Sequence, residues 1–188
     1  LPRKSVQQEL TRDMIMDAAR TLFVNKGYQH VSMRQIAKEL EYSHGAIYYH
    51  FKNKAELFYA LVEEHFKMLD QILDEILEKE IEPKEKIREV LIGFMQFGLT
   101  HQNHYEIMFL TKDEEVRNFL SQSPNRSYEK FARALSLLSE RKLSIQDIWS
   151  IFISLHGFVT HYSRHVTSYE DVQGMAAAHA DFLLRSIR

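Results

Sequence analysis

Apolar side chains recur at intervals of three and four along most of this chain, a spacing that lines them up on one stripe of a helix and that a strand cannot use. From Thr11 to Lys26 they fall at Ile15, Ala18, Ala19, Leu22 and Phe23. From Lys54 to Lys79 they fall at Leu57, Leu61, Phe66, Leu69, Ile72, Leu73 and Ile76, and from Lys84 to about His101 at Ile87, Val90, Leu91, Phe94 and Phe97. Two more such stretches close the sequence. Ser144 to about His165 carries Ile148, Phe152, Leu155, Val159 and Tyr162, and Tyr169 to Ile187 carries Val172, Ala176, Ala180, Leu183 and Ile187. Shorter helices are expected at Tyr105–Leu110, Asp113–Ser121 and Ser127–Ser139. The residues that punctuate sheets and tight turns are scarce, with 3 prolines and 6 glycines in 188 residues; ordinary usage would give roughly 9 and 13. The expected fold class is all-α, with about nine helices.

The first 55 residues have a finer punctuation. Gly27 can cap the C-terminus of the first helix. Ser32-Met33-Arg34-Gln35 reads as a capping box opening a helix from Met33 to Leu40 that buries Ile36, Ala37 and Leu40. Ser43 can cap another from His44 to Phe51, with Ile47 and Phe51 inward, and Asn53 can cap the long helix that follows. Two short helices joined by about three residues, behind a longer support, have the proportions of a helix-turn-helix unit. The expected division is therefore a helix-turn-helix domain at residues 1–53 and a helical regulatory and dimerisation domain at 54–188.

Charge follows the same division. Residues 1–55 hold nine Lys/Arg against five Asp/Glu, although the whole chain has a net charge of −2. A basic head on an acidic body fits a polyanionic partner, and solvated helix faces fit it about as well. The absence of cysteine excludes disulfides, thiol catalysis, zinc ribbons and iron–sulfur clusters. No apolar run approaches the roughly 18 residues of a membrane span, and Leu1-Pro2-Arg3-Lys4-Ser5 has no features of a secretory signal. A cytoplasmic protein with no membrane partner is expected.

The segment from Ile15 to Leu61 resembles the DNA-binding domain of the tetracycline-repressor (TetR) family of bacterial transcriptional regulators. The resemblance rests on Ala18-Ala19 through Leu22-Phe23 and Gly27-Tyr28, and on Val31-Ser32-Met33-Arg34-Gln35-Ile36-Ala37. Above all it rests on Ser43-His44-Gly45-Ala46-Ile47-Tyr48-Tyr49-His50-Phe51-Lys52-Asn53-Lys54. It implies that the third helix enters the DNA major groove and that each subunit of a homodimer reads half of a palindromic operator. The matching positions are Ser32 and Arg34 on the second helix, and Tyr42, Ser43, His44 and Gly45 at the turn. Tyr48, Tyr49 and His50 follow on the recognition helix, with Lys54 just after it. Physical chemistry agrees: helix starts offer free amides to phosphates, tyrosines can reach phosphates, sugars and thymine methyls, and lysine adds charge. Of the two tyrosines, Tyr48 is the one expected to be partly packed. Glu41 stands where the family usually has glycine, so a left-handed residue is expected there at a cost of about 1 kcal/mol. Tyr42, His44 and Ala46 are further departures.

In the body, Trp149 and His156-Gly157 resemble a Trp-His-Gly signature of a subset of the family's regulatory domains. One reading makes Trp149 the largest core residue and His156 a satisfied buried histidine. The other places both beside a cavity for a small apolar effector, lined by Phe94, Phe97, Met108, Phe109 and Phe152. The last two helices, with Ser150, Ser154 and Gly157 permitting close approach, are expected to pair with a second copy in a four-helix interface, the alternative being an internal hairpin. The pairs His101/His104 and His161/His165 have helical metal-ligand spacing without a companion cysteine or carboxylate, so no metal or cofactor is expected. The function expected is a DNA-binding repressor released by a small apolar ligand. The alternatives are a ligand-independent architectural DNA binder and, last, a histidine-based hydrolase or metal enzyme. No serine elbow, HExxH helix or phosphate-binding glycine loop supports an enzyme, and no catalytic residue is assigned.

Overall fold

Ser32 and Gln35 close the reciprocal box that starts the second helix, and Thr11, Ser43, Asn53 and Ser144 each accept a backbone N–H at the start of theirs. These caps set the frame of a computed structural model describing residues 9–110, 123–163 and 165–187. Its helices are α1 (Arg12–Lys26), α2 (Met33–Glu39), α3 (His44–His50), α4 (Lys54–Glu78), α5 (Pro83–Thr100), α6 (Gln102–Tyr105), α7 (Ser123–Leu138), α8 (Ile145–Tyr162) and α9 (Gln173–Ile187). Among the described residues there is no strand, and no helix is long and apolar enough to cross a membrane. The helix expected at Asp113–Ser121 lies outside them. The one expected at Tyr105–Leu110 is a different object: α6 ends at Tyr105, and Glu106–Leu110 forms a π-helical turn.

Two hydrophobic cores share the molecule. The head core gathers Ile15, Ala19 and Phe23 of α1, Ile36 and Ala37 of α2, and Ile47 and Phe51 around α3. Ile47 and Phe51 have no exposed surface, and each contributes roughly 1.5–3 kcal/mol by burial. Leu57, Phe58, Leu61, Val62 and Phe66, all from the first half of α4, belong to this head core, while Leu73 and Ile76 from its second half belong to the body core. The helix boundary at residue 53 is therefore not a boundary of packing.

In the body, α5 lies at the centre, packed on α4, α7, α8 and α9. Its buried residues include Leu91, Met95, Phe97, Gly98 and Leu99, so it is covered nearly all round rather than along one stripe. Arg88 Nε donates to Asp181 Oδ1 at 2.6 Å and ties α5 to α9. Closest approach to α8 occurs at Gly98, where a Cβ would lie 2.5 Å from Val159 Cγ1 and 3.0 Å from Tyr105. Gly98→Ala is thus expected to lose stability, because about 1–3 kcal/mol of overpacking outweighs the gain in helix propensity of about 1 kcal/mol. Gly174→Ala in α9 meets nothing within 4 Å and should be neutral or stabilising. Urea unfolding of the two variants side by side checks the contrast.

At the end of α2, Glu41 takes φ 59°, the left-handed conformation expected there. Tyr42 N–H reaches Ala37 O at 3.0 Å and Glu41 N–H reaches Lys38 O at 3.2 Å, the paired bonds of a Schellman motif. That reversal aims α3 away from α2.

Candidate functional site

The surface formed by α2, the turn and α3 carries the residues singled out from the sequence. Ser32, Arg34, Ser43, His44, Gly45, Tyr48 and Tyr49 are exposed, and Tyr42, His50 and Lys54 are half-buried. Tyr49 is 87% exposed and Tyr48 42%, the latter resting edge-on against His44 with centroids 4.6 Å apart. Ser43 Oγ accepts from Ala46 N–H at 3.2 Å, and Ser32 Oγ accepts from Gln35 N–H at 3.3 Å. Both hydroxyls are engaged in capping, which leaves neighbouring helix-start amides as the groups facing outward. A Cβ on Gly45 would meet nothing within 4 Å, so nothing inside the protein requires a glycine there.

Lys54 is committed inward. Its Nζ donates to Tyr28 O at 2.9 Å and lies 4.0 Å over the Tyr28 ring, pinning the start of α4 to the end of α1. Arg12, not singled out from the sequence, donates to His50 O at 2.6 Å and lies 4.0 Å over the Phe51 ring, which holds the C-terminus of α3.

In the body, α4, α5, α7 and α8 enclose an apolar cavity of about 420 Å³. Four of the seven residues expected to line it do so: Phe94, Phe109, Trp149 and Phe152. Trp149 is half-exposed at the rim, so it is not a core residue. The other three lie elsewhere. Phe97 and Met108 are buried in the head core, because their helical faces turn toward α1 and the first half of α4. His156 stands behind the wall and shares a 2.6 Å hydrogen bond with the buried Tyr105 hydroxyl; burial lowers the imidazole pKa and raises that of the phenol. Sequence reasoning missed the opposite wall, Leu69, Ile72, Leu73 and Ile76 of α4 with Tyr128 and Phe131 of α7.

The π-turn at Glu106–Leu110 touches both regions. Ile107 and Met108 pack in the head core while the adjacent Phe109 lines the cavity. A π-turn adds a residue to a helical turn and is frequent at functional sites.

A buried histidine sits where the head meets the body. His65 of α4 has no exposed surface, and its Nε2 accepts a hydrogen bond from Arg20 Nε of α1 at 3.1 Å. That bond fixes Nε2 as an unprotonated acceptor and hence the ring as neutral. Arg20 also pairs with Asp17 at 2.7 Å and Glu64 at 3.1 Å. The His104 ring stacks on His65 at 4.1 Å and 12°, and His101 stacks on His104 at 5.2 Å. Burial, then the neighbouring His104 and Arg20, lowers His65 to about 3, and burial with Arg20 lowers His104 to about 4. His161 and His165 stack at 5.5 Å toward the end of α8, with both side chains exposed.

Along the outer face of α8 and α9, Ile145, Trp149, Ile153, Met175 and Phe182 are exposed apolar side chains at helical spacing. A Cβ on Gly157 would meet nothing within 4 Å.

The profile described as bacterial regulatory proteins, tetR family, matches residues 15–61. The chain is 29% identical over 136 residues to an uncharacterized HTH-type transcriptional regulator, YhgD, of Bacillus subtilis, covering 72% of this chain and 68% of that one. It is 27% identical over 172 residues to the HTH-type transcriptional regulator AcrR of Shigella flexneri, covering 85% and 80%. The fold is similar to that of a transcriptional regulator FadR from Bacillus subtilis in complex with stearoyl-CoA. The TM-score is 0.78 at 21% identity, over 95% of this chain and 100% of that one.

Proposed function

We propose that the chain, whose residues 15–61 match the tetR family of bacterial regulatory proteins, is a cytoplasmic homodimeric repressor whose grip on a palindromic operator is released by a small apolar ligand. Residues 1–53 are the DNA-binding domain and 54–188 the regulatory and dimerising one. Tyr48 and Tyr49, with His44 and Gly45, approach the DNA in the major groove. Ser32, Arg34, Tyr42, Ser43 and His50 position the head on the backbone, and Lys54 acts by holding the start of α4.

The observation that carries the reading is the sharing of two elements between cavity wall and head core. The second half of α4 lines the cavity while its first half packs in the head core, and the π-turn puts Phe109 on one side and Ile107 and Met108 on the other. A ligand that displaces Phe109 or spreads α4 from α7 therefore stabilises a different seating of the head. Two recognition helices must meet successive major grooves about 34 Å apart, so a shift of a few ångströms per subunit is enough to lose one of them. The exposed apolar face of α8 and α9 supplies the isologous surface a two-fold dimer requires.

A ligand-independent architectural role predicts a filled body core, and the cavity counts against it. Gel shift with palindromes from the adjacent promoter tests the proposal. Specific retardation that an apolar ligand reverses is expected; retardation that no member of a broad ligand panel alters would remove the induction half.

Gly45 gives a sharper check. Gly45→Ala should leave stability unchanged or raise it by up to about 1 kcal/mol, since nothing crowds a Cβ there. It should nevertheless weaken operator binding, because the methyl group stands on the surface that meets the DNA backbone. A thermal melt and a gel shift on one preparation separate the two effects.

A further inference from the structure

We propose that the body cavity is a receptor for a lipophilic organic cation. The inference rests on the reading of the body as a ligand sensor and specifies what that sensor takes. Of the fifteen described residues lining the cavity, seven are aromatic and one, Asp70 of α4, is charged. No lysine, arginine or histidine is among the described lining residues.

The charge balance at the rim is decided by Lys130. Its Nζ donates to Asp74 Oδ2 at 2.6 Å and to the Asp70 carbonyl at 3.1 Å, so its charge is taken up by Asp74. Among the described residues the Asp70 carboxylate has no hydrogen-bond or ion-pair partner, and it stands at the edge of an apolar space. Asn125 and Ser127 lie on the same α4–α7 edge and supply only neutral groups. Among the described lining residues an anionic headgroup entering here meets a carboxylate and no cation. A cationic one meets that carboxylate across a medium of lower dielectric than water. It also meets ring faces whose quadrupoles attract positive charge. At the outer end, Trp149 and Phe152 stack at 5.5 Å with Tyr128 standing nearly perpendicular to both, a broad π wall opposite the aliphatic face of α4.

Three probes that share one chain test the charge alone: decyltrimethylammonium, decanol and decanoate, each titrated below its micelle concentration into the full-length protein. Trp149 is the chain's only tryptophan and lines the cavity, so its fluorescence reports occupancy directly. The ammonium is expected to bind at least about tenfold more tightly than decanoate, with decanol between them. In Asp70→Asn the ratio should fall to about two or less, while Asp70→Glu keeps the preference. Circular dichroism melts establish that both variants fold. Decanoate binding as tightly as the ammonium, or a preference unchanged in Asp70→Asn, overturns the cation proposal and leaves an apolar sensor in place. Failure of all three probes to alter Trp149 emission overturns the sensor reading as well.

Discussion

Tyr49→Ala is expected to weaken operator binding by roughly ten- to a hundredfold while the thermal midpoint stays where it is. The ring is 87% exposed, and among the described residues its one ring neighbour is His50, edge-on at 5.3 Å. Truncation therefore removes no core packing, and any loss belongs to what the ring touches outside the protein. Fluorescence anisotropy on the native palindrome and on variants with single thymines replaced tells the two contact types apart. A uniform loss across the set marks a phosphate or sugar contact, whereas a loss confined to one thymine marks its methyl group. Unchanged affinity would take Tyr49 off the interface, and a fallen midpoint would make it structural.

Acidification is the second large effect. His65 is neutral in the folded protein, with its pKa lowered from 6.5 to about 3. In the unfolded chain it titrates near its ordinary value. As the pH falls below about 6.5 the unfolded state takes up a proton that the folded state refuses, so stability declines until the folded ring itself titrates. By pH 4 the His65 contribution to that loss is of the order of 3 kcal/mol. His104, lowered to about 4 and less buried, adds a smaller share in the same direction. The groups facing the pair are Arg20 of α1, itself paired with Asp17 and Glu64, and the His101 ring. Among the described residues no carboxylate is hydrogen-bonded to His65 to reward its protonation. Urea unfolding at pH 7, 6, 5 and 4 measures the slope. His65→Phe should flatten it by about one proton, at a lower stability at pH 7 because Arg20 loses its acceptor. An unaltered slope in that variant would assign the acid sensitivity to other groups.

The head was largely legible in advance because its boundaries are chemical. Capping hydroxyls at Ser32 and Ser43, the amide of Asn53 and the terminal Gly27 are local devices, and the structure uses each of them as a helix cap. Glu41 was readable by another route: the resemblance sets it where the family usually has glycine, and it takes the left-handed conformation that this implies.

The cavity was half legible. Periodicity says which face of a helix is covered without saying by what. Phe94 and Phe97 lie three apart on α5, yet one lines the cavity and the other packs in the head core. The α4 wall looked like an ordinary core stripe for the same reason. His65 drew no notice because one histidine in a charged, amphipathic helix reads as surface. Its signal was position: it lies four residues after Leu61 and four before Leu69, on the apolar stripe itself.

The division of α4 between two cores bears on modularity. A reading head cut at residue 53 would leave behind Leu57, Phe58, Leu61, Val62 and Phe66, a large part of its own interior. Anyone grafting this head onto a foreign sensor should place the seam beyond Phe66, so that the transplant carries its own keel.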